Sequence, residues 1–157
     1  MVVKNQQEAL SVACEMERRA IRTYERALMI ASDPEVTQGI RDILKDEREH
    51  LRIFSAMKEA CCPDYQPEER LLFAALGADV LFPGGVMEMQ RAQSLTSLRG
   101  LYTFARDSEA DAVRKYSDFA EHCTHPAAKE AFLSIAREEG THLAALEDTL
   151  NAMQDAK

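Results

Sequence analysis

Apolar residues recur every three or four positions along four long stretches of this chain, which is the spacing of amphipathic helices. The four predicted helices begin near Asn5, at Asp33-Pro34, near Thr96 or Ser97, and around His125-Pro126. Asparagine or aspartate as an N-cap, and proline at the first helical position, support these beginnings. The first helix is expected to continue to about Ser32.

Each apolar stripe also contains a glutamate at a position that faces inward. These four residues are Glu17, Glu47, Glu109 and Glu139. An ionised carboxylate that is buried alone costs several kcal/mol or more, so each must be paired, protonated or bound to a metal.

The helical stretches repeat at a constant offset of 92 residues. The residues Glu17, Tyr24, Glu47 and His50 are followed by Glu109, Tyr116, Glu139 and His142 (109−17, 116−24, 139−47 and 142−50). Pro34 and Pro126 have the same separation, so the helix beginnings repeat together with the polar positions. We therefore predict a duplicated helical hairpin.

A long connection separates the two hairpins. Residues 61–95 contain three prolines and a Gly84-Gly85 pair, with one short predicted helix over about 68–76. Hairpins related by a two-fold axis perpendicular to the bundle need such a connection, because the chain must return along the whole bundle. The sequence thus predicts an all-α, ferritin-like four-helix bundle with one crossover. The single predicted domain covers 1–157, with hairpin 1 over about 5–60, the crossover over about 61–95 and hairpin 2 over about 96–155.

Carboxylates and imidazoles that meet inside the bundle predict a metal site, because no equal number of inward Lys or Arg accompanies them. The predicted ligands are Glu17, Glu47, His50, Glu109, Glu139 and His142. Within each Glu-x-x-His pair the two residues face the same side of a helix, so each pair is expected to chelate one ion. Glu17 and Glu109 are expected to bridge both ions. This ligand set suits iron or manganese, and zinc can enter the same site.

Tyr24 and Tyr116 lie two turns after Glu17 and Glu109 on the same helix faces. Their hydroxyls are predicted to hydrogen-bond ligand carboxylates and thereby support the site from outside the ligand set. The alternative for each tyrosine is a core residue with a satisfied hydroxyl. A lone Glu-x-x-His would carry little weight, and the two copies at one offset favour the metal. Two further histidines, His122 and His125, are predicted to be cap or surface residues.

Composition restricts the partners. The formal net charge of −8 disfavours nucleic acid and anionic membrane surfaces. No apolar run approaches the roughly 20 residues of a membrane helix, and polar residues at 4–8 are unlike a signal peptide. We expect a cytoplasmic protein with no nucleic-acid or membrane partner.

The four cysteines form no C-x-x-C pair, so no zinc ribbon or rubredoxin-type site is predicted.

Both hairpins resemble the rubrerythrin family of the ferritin-like superfamily. The resemblance lies in ALSVACEMERRAIRTYERALMIASDPEVTQGIRDILKDEREHLRIFSAM over residues 9–57, and in EADAVRKY and AFLSIAREEGTHLAAL within residues 101–150. It implies that the six ligands hold two iron ions. It also implies that the protein reduces peroxide or oxidises ferrous iron with dioxygen, and that two copies pair as a homodimer.

The chain departs from that family in two respects. Rubrerythrins carry a C-terminal rubredoxin domain whose cysteines are missing here, so a reductase would need an external electron donor. Peroxide-reducing members tend to carry an additional carboxylate one turn past Glu109, where this chain has Ala112. The remaining six-ligand site is more similar to that of ferritin-type ferroxidases.

Three functions follow as competing hypotheses. The first is a di-iron oxidoreductase that acts on peroxide or dioxygen with ferrous iron. The second is an iron-handling protein that binds iron and passes it on without catalytic turnover. The third is a metal-free interaction bundle, whose melting temperature iron or manganese would leave unchanged.

Overall fold

The described part of the chain is built from α-helices. The computed structural model describes residues 3–77 and 86–155. Within them lie α1 (Gln6–Ile30), α2 (Pro34–Cys61), α3 (Glu69–Leu76), α4 (Val86–Ser94), α5 (Leu98–Glu121) and α6 (Pro126–Asp155), and no strand. The predicted all-α class is confirmed. No helix among these residues is long and apolar enough to cross a membrane.

Side chains cap all four long helices where the sequence predicts their beginnings, with His125 as the cap of α6. Asn5 caps α1, Asp33 caps α2 and Ser97 caps α5, and each side chain accepts a hydrogen bond from a backbone N–H of the first turn. Such a cap stabilises a helix by about 1 kcal/mol. Helix α1 ends at Ile30, two residues before the predicted Ser32.

Two helices lie in the described part of the crossover, and only the first of them was predicted. Helix α3 matches the predicted 68–76 and ends at Gly77, whose φ of 87° favours glycine. Helix α4 was not predicted, and the Pro83-Gly84-Gly85 run before it lies outside the described residues. Packing against α1 holds this short helix, with Ala92 and the following Leu95 buried.

The two hairpins run in opposite directions. Helix α1 packs mainly on α2, and α5 packs mainly on α6. The backbone N–H of His125, in the turn between α5 and α6, donates a hydrogen bond to the Gln6 side chain at the beginning of α1. The turn of the second hairpin therefore lies at the open end of the first, which is the arrangement that a long crossover predicts.

Two apolar clusters fill the two ends of the bundle and leave the middle to polar residues. One cluster contains the rings of Phe54, Tyr116 and Phe132, whose centroids lie 4.9 to 5.9 Å apart. The other contains Tyr24 and Leu101. The predicted ligands belong to neither cluster. Apolar packing therefore holds the four helices together on both sides of the site.

Candidate metal centre

Six polar residues lie mid-helix on the faces that point into the bundle. Helix α1 contributes Glu17, α2 contributes Glu47 and His50, α5 contributes Glu109, and α6 contributes Glu139 and His142. All are buried except His142, whose side chain is 31% exposed. Each lies on the apolar stripe of an amphipathic helix, so packing of the stripes carries it into the interior.

The ligand atoms of these residues form two adjoining groups. Within each group all of them lie within 4.8 Å of one another. The first group is Glu17, Glu47, His50 and Glu139, and the second is Glu109, Glu139 and His142. Each of these two groups of carboxylates and imidazoles can hold a metal ion. Glu139 belongs to both groups.

Glu139 lies between the two histidines. Its Oε1 is 3.1 Å from Nδ1 of His50, and its Oε2 is 3.4 Å from Nδ1 of His142. Glu17 belongs only to the first group and Glu109 only to the second, and Glu139 is the carboxylate common to both. The expected bridging of both ions by Glu17 and Glu109 stays a prediction. Helix spacing gave the face of each glutamate but not the distance its side chain spans across the bundle.

Burial and crowded carboxylates retain protons in the first group. The pKa of Glu17 is raised well above its usual value because the residue is buried and because the negative charge of Glu47 lies beside it. Burial lowers the pKa of His50, but the carboxylates of Glu139 and Glu47 outweigh this effect and raise it to about 11. In the metal-free protein, a charged imidazole therefore compensates part of the carboxylate charge.

Glu109 retains a proton beside Glu139 in the second group. Burial raises the pKa of Glu109, and the neighbouring Glu139 raises it further, to about 10. Burial alone would also raise the pKa of Glu139, but His50 and Glu109 lower it below its usual value. Glu109 is thus the neutral member of this pair and Glu139 the charged one.

His50 is the residue that best tests whether this cluster fits a metal ion. Its side chain is 1% exposed, yet neither ring nitrogen makes a hydrogen bond of acceptable geometry. Buried polar atoms rarely lack a partner in folded proteins. Nδ1 of His50 lies 3.1 Å from Oε1 of Glu139 without the geometry of a hydrogen bond, so an ion held by the carboxylates would give this nitrogen a bond that it otherwise lacks. The residues present therefore fit a metal ion.

The two tyrosines differ in what they contact. Tyr116 donates a hydrogen bond to Oε1 of Glu17, which lies on the opposite hairpin. Tyr24 is equally buried, and burial raises the pKa of its hydroxyl, while Ser108 beside it offsets part of that rise. The predicted contact with a ligand carboxylate thus forms at Tyr116, and for Tyr24 it stays a prediction. The repeat does not extend to Ser108, because Met16 occupies the equivalent position (108−92).

A cavity of about 230 Å³ reaches the cluster from the side of α1 and α5. Its lining includes Glu17, Glu47, Glu109, Glu139, Met16, Ala20, Phe104, Ala112 and Tyr116. Ala20 and Ala112 are related by the repeat (112−20), so small side chains at equivalent positions leave this space open. Neither His50 nor His142 lines the cavity, so it gives access to the carboxylate side of the cluster.

Two carboxylates that the sequence analysis did not identify face the far nitrogens of the histidines. Oε2 of Glu138 is 3.7 Å from Nε2 of His50, and Oδ2 of Asp46 is 4.0 Å from Nε2 of His142. The available signal was their separation of 92 residues (138−46), each directly before a Glu-x-x-His pair. Helix periodicity places both toward solvent, and the side chain of Glu138 is 51% exposed and that of Asp46 43% exposed. The sequence pattern therefore indicates surface residues.

The remaining histidines and the cysteines lie outside this centre. His122 is the C-cap of α5, and Nδ1 of His125 accepts a hydrogen bond from the backbone N–H of Ala127. The four cysteines are free thiols.

Comparison with known proteins identifies the family. A family model described as a ferritin-like domain matches residues 5–152. The chain belongs to this family. Comparisons with curated proteins and with solved structures gave no match. The ferritin-like part of the resemblance is confirmed, whereas its rubrerythrin part stays a prediction.

Proposed function

We propose that this ferritin-like protein is a non-haem di-iron carboxylate protein, a rubrerythrin-like oxidoreductase that acts on peroxide or dioxygen with ferrous iron. The observation that carries the proposal is the pair of buried Glu/His groups that share Glu139 and include the unsatisfied ring of His50. Two bound iron ions would supply one-electron chemistry between the ferrous and ferric states.

The chain's own side chains can accommodate two ions without adding buried charge. The first ion would be held by Glu17, Glu47, His50 and Glu139, and the second by Glu109, His142 and Glu139. Ligands must be deprotonated, so loading would release the protons that Glu17, Glu109 and His50 retain in the metal-free protein. Manganese or zinc can take the place of iron in such a ligand set.

The cavity between α1 and α5 supports a reaction with a small oxidant. It ends on the carboxylates, and neither metal-binding histidine lines it. Its wall combines apolar side chains such as Met16 and Phe104 with charged ones such as Asp107. Tyr116 donates a hydrogen bond to Glu17 and thereby orients that carboxylate.

The test is anaerobic loading of metal-free protein with ferrous iron, followed by stopped-flow mixing with peroxide or with dioxygen. We expect ferric absorbance to form faster than with free iron, and repeated turnover when an external reductant is added. The variant Glu139→Gln, which removes the shared carboxylate, should lose the acceleration, and Glu147→Gln, an exposed change on the same helix, should retain it. No acceleration by either oxidant would refute the oxidoreductase.

Iron handling without turnover is the second candidate, and Ala112 favours it. Ala112 lines the cavity at the position where peroxide-reducing rubrerythrins tend to carry a further carboxylate. Two irons per chain, one oxidation event and no further reaction with reductant present would support this function. A metal-free interaction bundle predicts no bound metal after purification and an unchanged melting temperature on addition of iron or manganese.

The partners belong to the same proposal. We expect an external electron donor, since the cysteines of the chain provide no rubredoxin-type iron site. A homodimer and a cytoplasmic location also stay predictions. Sedimentation of the purified protein tests the first, and fractionation of the source cells tests the second.

A further inference from the structure

A group of cysteines lies at one end of the bundle, outside the metal centre. Cys61 is the last residue of α2, Cys62 is the C-cap that follows it, and Cys123 lies two residues past the end of α5. We propose that these thiols form an oxidation site, in which a hydroperoxide oxidises Cys61 and Cys123 then closes a disulfide with it. The bond would join the two hairpins. The reaction needs no bound metal, so it is independent of the proposed di-iron chemistry.

The topology brings the ends of α2 and α5 together. Helices α1 and α2 form a hairpin, so the end of α2 lies at the same end of the bundle as the beginning of α1. The turn between α5 and α6 lies there too, because the backbone N–H of His125 donates a hydrogen bond to the side chain of Gln6. Cys123 belongs to that turn, and it is buried in the same apolar cluster as Cys62. Thiols of both hairpins therefore meet at this end.

The three thiols differ in their access to an oxidant. Cys61 is exposed, whereas Cys62 and Cys123 are buried. Burial and the neighbouring Cys61 raise the pKa of Cys62 to about 12. Burial also raises the pKa of Cys123, to about 11, and Cys61 contributes to that rise, so the sulfur of Cys61 is near both buried thiols. Because the buried thiols keep their protons near neutral pH, a dissolved oxidant should react with Cys61 first.

Cys123 is a better disulfide partner for Cys61 than the adjacent Cys62. Unstrained disulfides hold their two Cα atoms about 4.4–6.8 Å apart, whereas successive Cα atoms lie only about 3.8 Å apart across a trans peptide bond. A bond between Cys61 and Cys62 would therefore strain the backbone. Cys61 and Cys123 lie at the ends of different helices, and helix ends fray, so the chain can adjust there to bring the two Cα atoms into range.

The oxidation proceeds in two balanced steps. The sulfur of Cys61 attacks one oxygen of the hydroperoxide, so an S–O bond forms, the O–O bond breaks, and the other oxygen leaves as water or an alcohol with the thiol proton. Cys61 is then a sulfenic acid. The sulfur of Cys123 attacks that of Cys61, so the S–S bond forms, the S–O bond breaks, and water leaves with the proton of Cys123. In total the two thiols lose two electrons, which the peroxide gains.

Mass spectrometry after mild oxidation tests this site. Metal-free protein with reduced thiols is treated with one equivalent of hydrogen peroxide in the presence of a chelator, and the remaining thiols are alkylated. We expect the monomer to lose two hydrogens, and its digest to contain two peptides linked through Cys61 and Cys123. Cys123→Ala should prevent the link and leave a sulfenic acid on Cys61, which dimedone traps.

Two other cysteines provide matched controls. Cys14 and Cys62 are buried thiols of the same apolar cluster, and Cys14→Ala and Cys62→Ala should both leave the link intact. Prevention of the link by either control would contradict the assignment of Cys123 as the partner. A link between two chains, or no link in the unmodified protein, would overturn the proposed site altogether.

Unfolding by urea provides a second readout. The bond would close a loop of 62 residues (123−61), and a cross-link that fits the native fold restricts the unfolded chain. Oxidised protein should therefore have a higher urea midpoint than reduced protein, dithiothreitol should reverse the shift, and Cys123→Ala should show no shift. An unchanged or lower midpoint after the link has formed would mean that the two helix ends are not placed to accept it, which contradicts the proposal.

Discussion

The two halves of the candidate metal centre come from one sequence repeat but occupy different surroundings. His50 is 1% exposed, whereas its counterpart His142 is 31% exposed. Glu17 accepts a hydrogen bond from Tyr116, whereas the repeat counterpart of Tyr116, Tyr24, has Ser108 beside its hydroxyl. A repeat can place ligands at equivalent positions, but the residues packed around each position decide how closed its site is.

This difference leads us to expect a tightly enclosed first half-site and a second half-site that exchanges more readily with solvent. The first contains four potential ligands and the second three, with Glu139 common to both. Substitutions can therefore affect one half-site alone or remove the ligand that both half-sites share.

The largest effect is expected from the shared carboxylate. Glu139→Gln should reduce bound metal from about two ions per chain to less than one, because both groups lose a ligand. Glu109→Gln should retain about one ion, since it belongs only to the second group. Elemental analysis of reconstituted protein gives the stoichiometry, and equal losses in the two variants would contradict the place of Glu139 in both groups.

Metal-free protein should lose stability as pH rises from about 5 to 9. The folded pKa of Glu109 is about 10 and that of His50 about 11, both above their unfolded values, so the stabilisation is complete at low pH and declines as the unfolded chain releases protons. The slope should approach about 1.4 kcal/mol per pH unit for each retained proton. The lowered pKa of Glu139 acts in the opposite direction only at acidic pH.

Urea unfolding at several pH values measures this slope. Glu109→Gln should flatten it by one proton, and metal should stabilise the protein more at high pH than at low pH, because binding releases protons. A metal-free stability that rises across this range would show that the cluster is not protonated as described.

The two histidines should differ in their contribution to the metal-free fold. His50→Ala removes the cation that lies among buried carboxylates and should cost about 3–5 kcal/mol. His142→Ala changes a partly exposed ring and should cost about 1 kcal/mol or less. Denaturant unfolding compares them, and similar costs would mean that the two halves are equally enclosed.

The tyrosines provide a smaller comparison. Tyr116→Phe leaves the buried Glu17 without its donor and should cost about 1–3 kcal/mol. Tyr24→Phe should cost about 0.5–1.5 kcal/mol, because Ser108 lines the cavity and water can replace the lost hydroxyl. Both rings remain packed in the variants, so the difference between the two free energies of unfolding reports the hydroxyl contacts.

The smallest change concerns the helices themselves. Gly140 follows Glu139 in α6, where the first hairpin has Arg48 (140−92), and an added Cβ would meet nothing within 4 Å. Gly140→Ala should therefore raise stability by about 0.5–1 kcal/mol. Zinc affinity should not change. A loss of affinity would indicate that the glycine itself is needed for the position of Glu139.

Local signals predicted most of the fold. The caps at Asn5, Asp33 and Ser97 could be predicted from the sequence, because an N-cap side chain bonds to a backbone N–H only two or three residues away. Helix α4 was missed because its short sequence is held by packing against α1, which no local pattern shows. The crossover length correctly indicated opposed hairpins, since chain connectivity limits where the second hairpin can begin.

By itself the sequence determined which residues share a helix face, because the period of a helix and the offset of 92 residues are properties of the chain. It thus placed six donors inside an all-α bundle. Only the tertiary structure decided that Glu139 lies between the histidines, that Tyr116 contacts Glu17, and that Asp46 and Glu138 face the opposite hairpin's rings. These relations depend on distances between helices, which side-chain packing sets and sequence spacing does not encode.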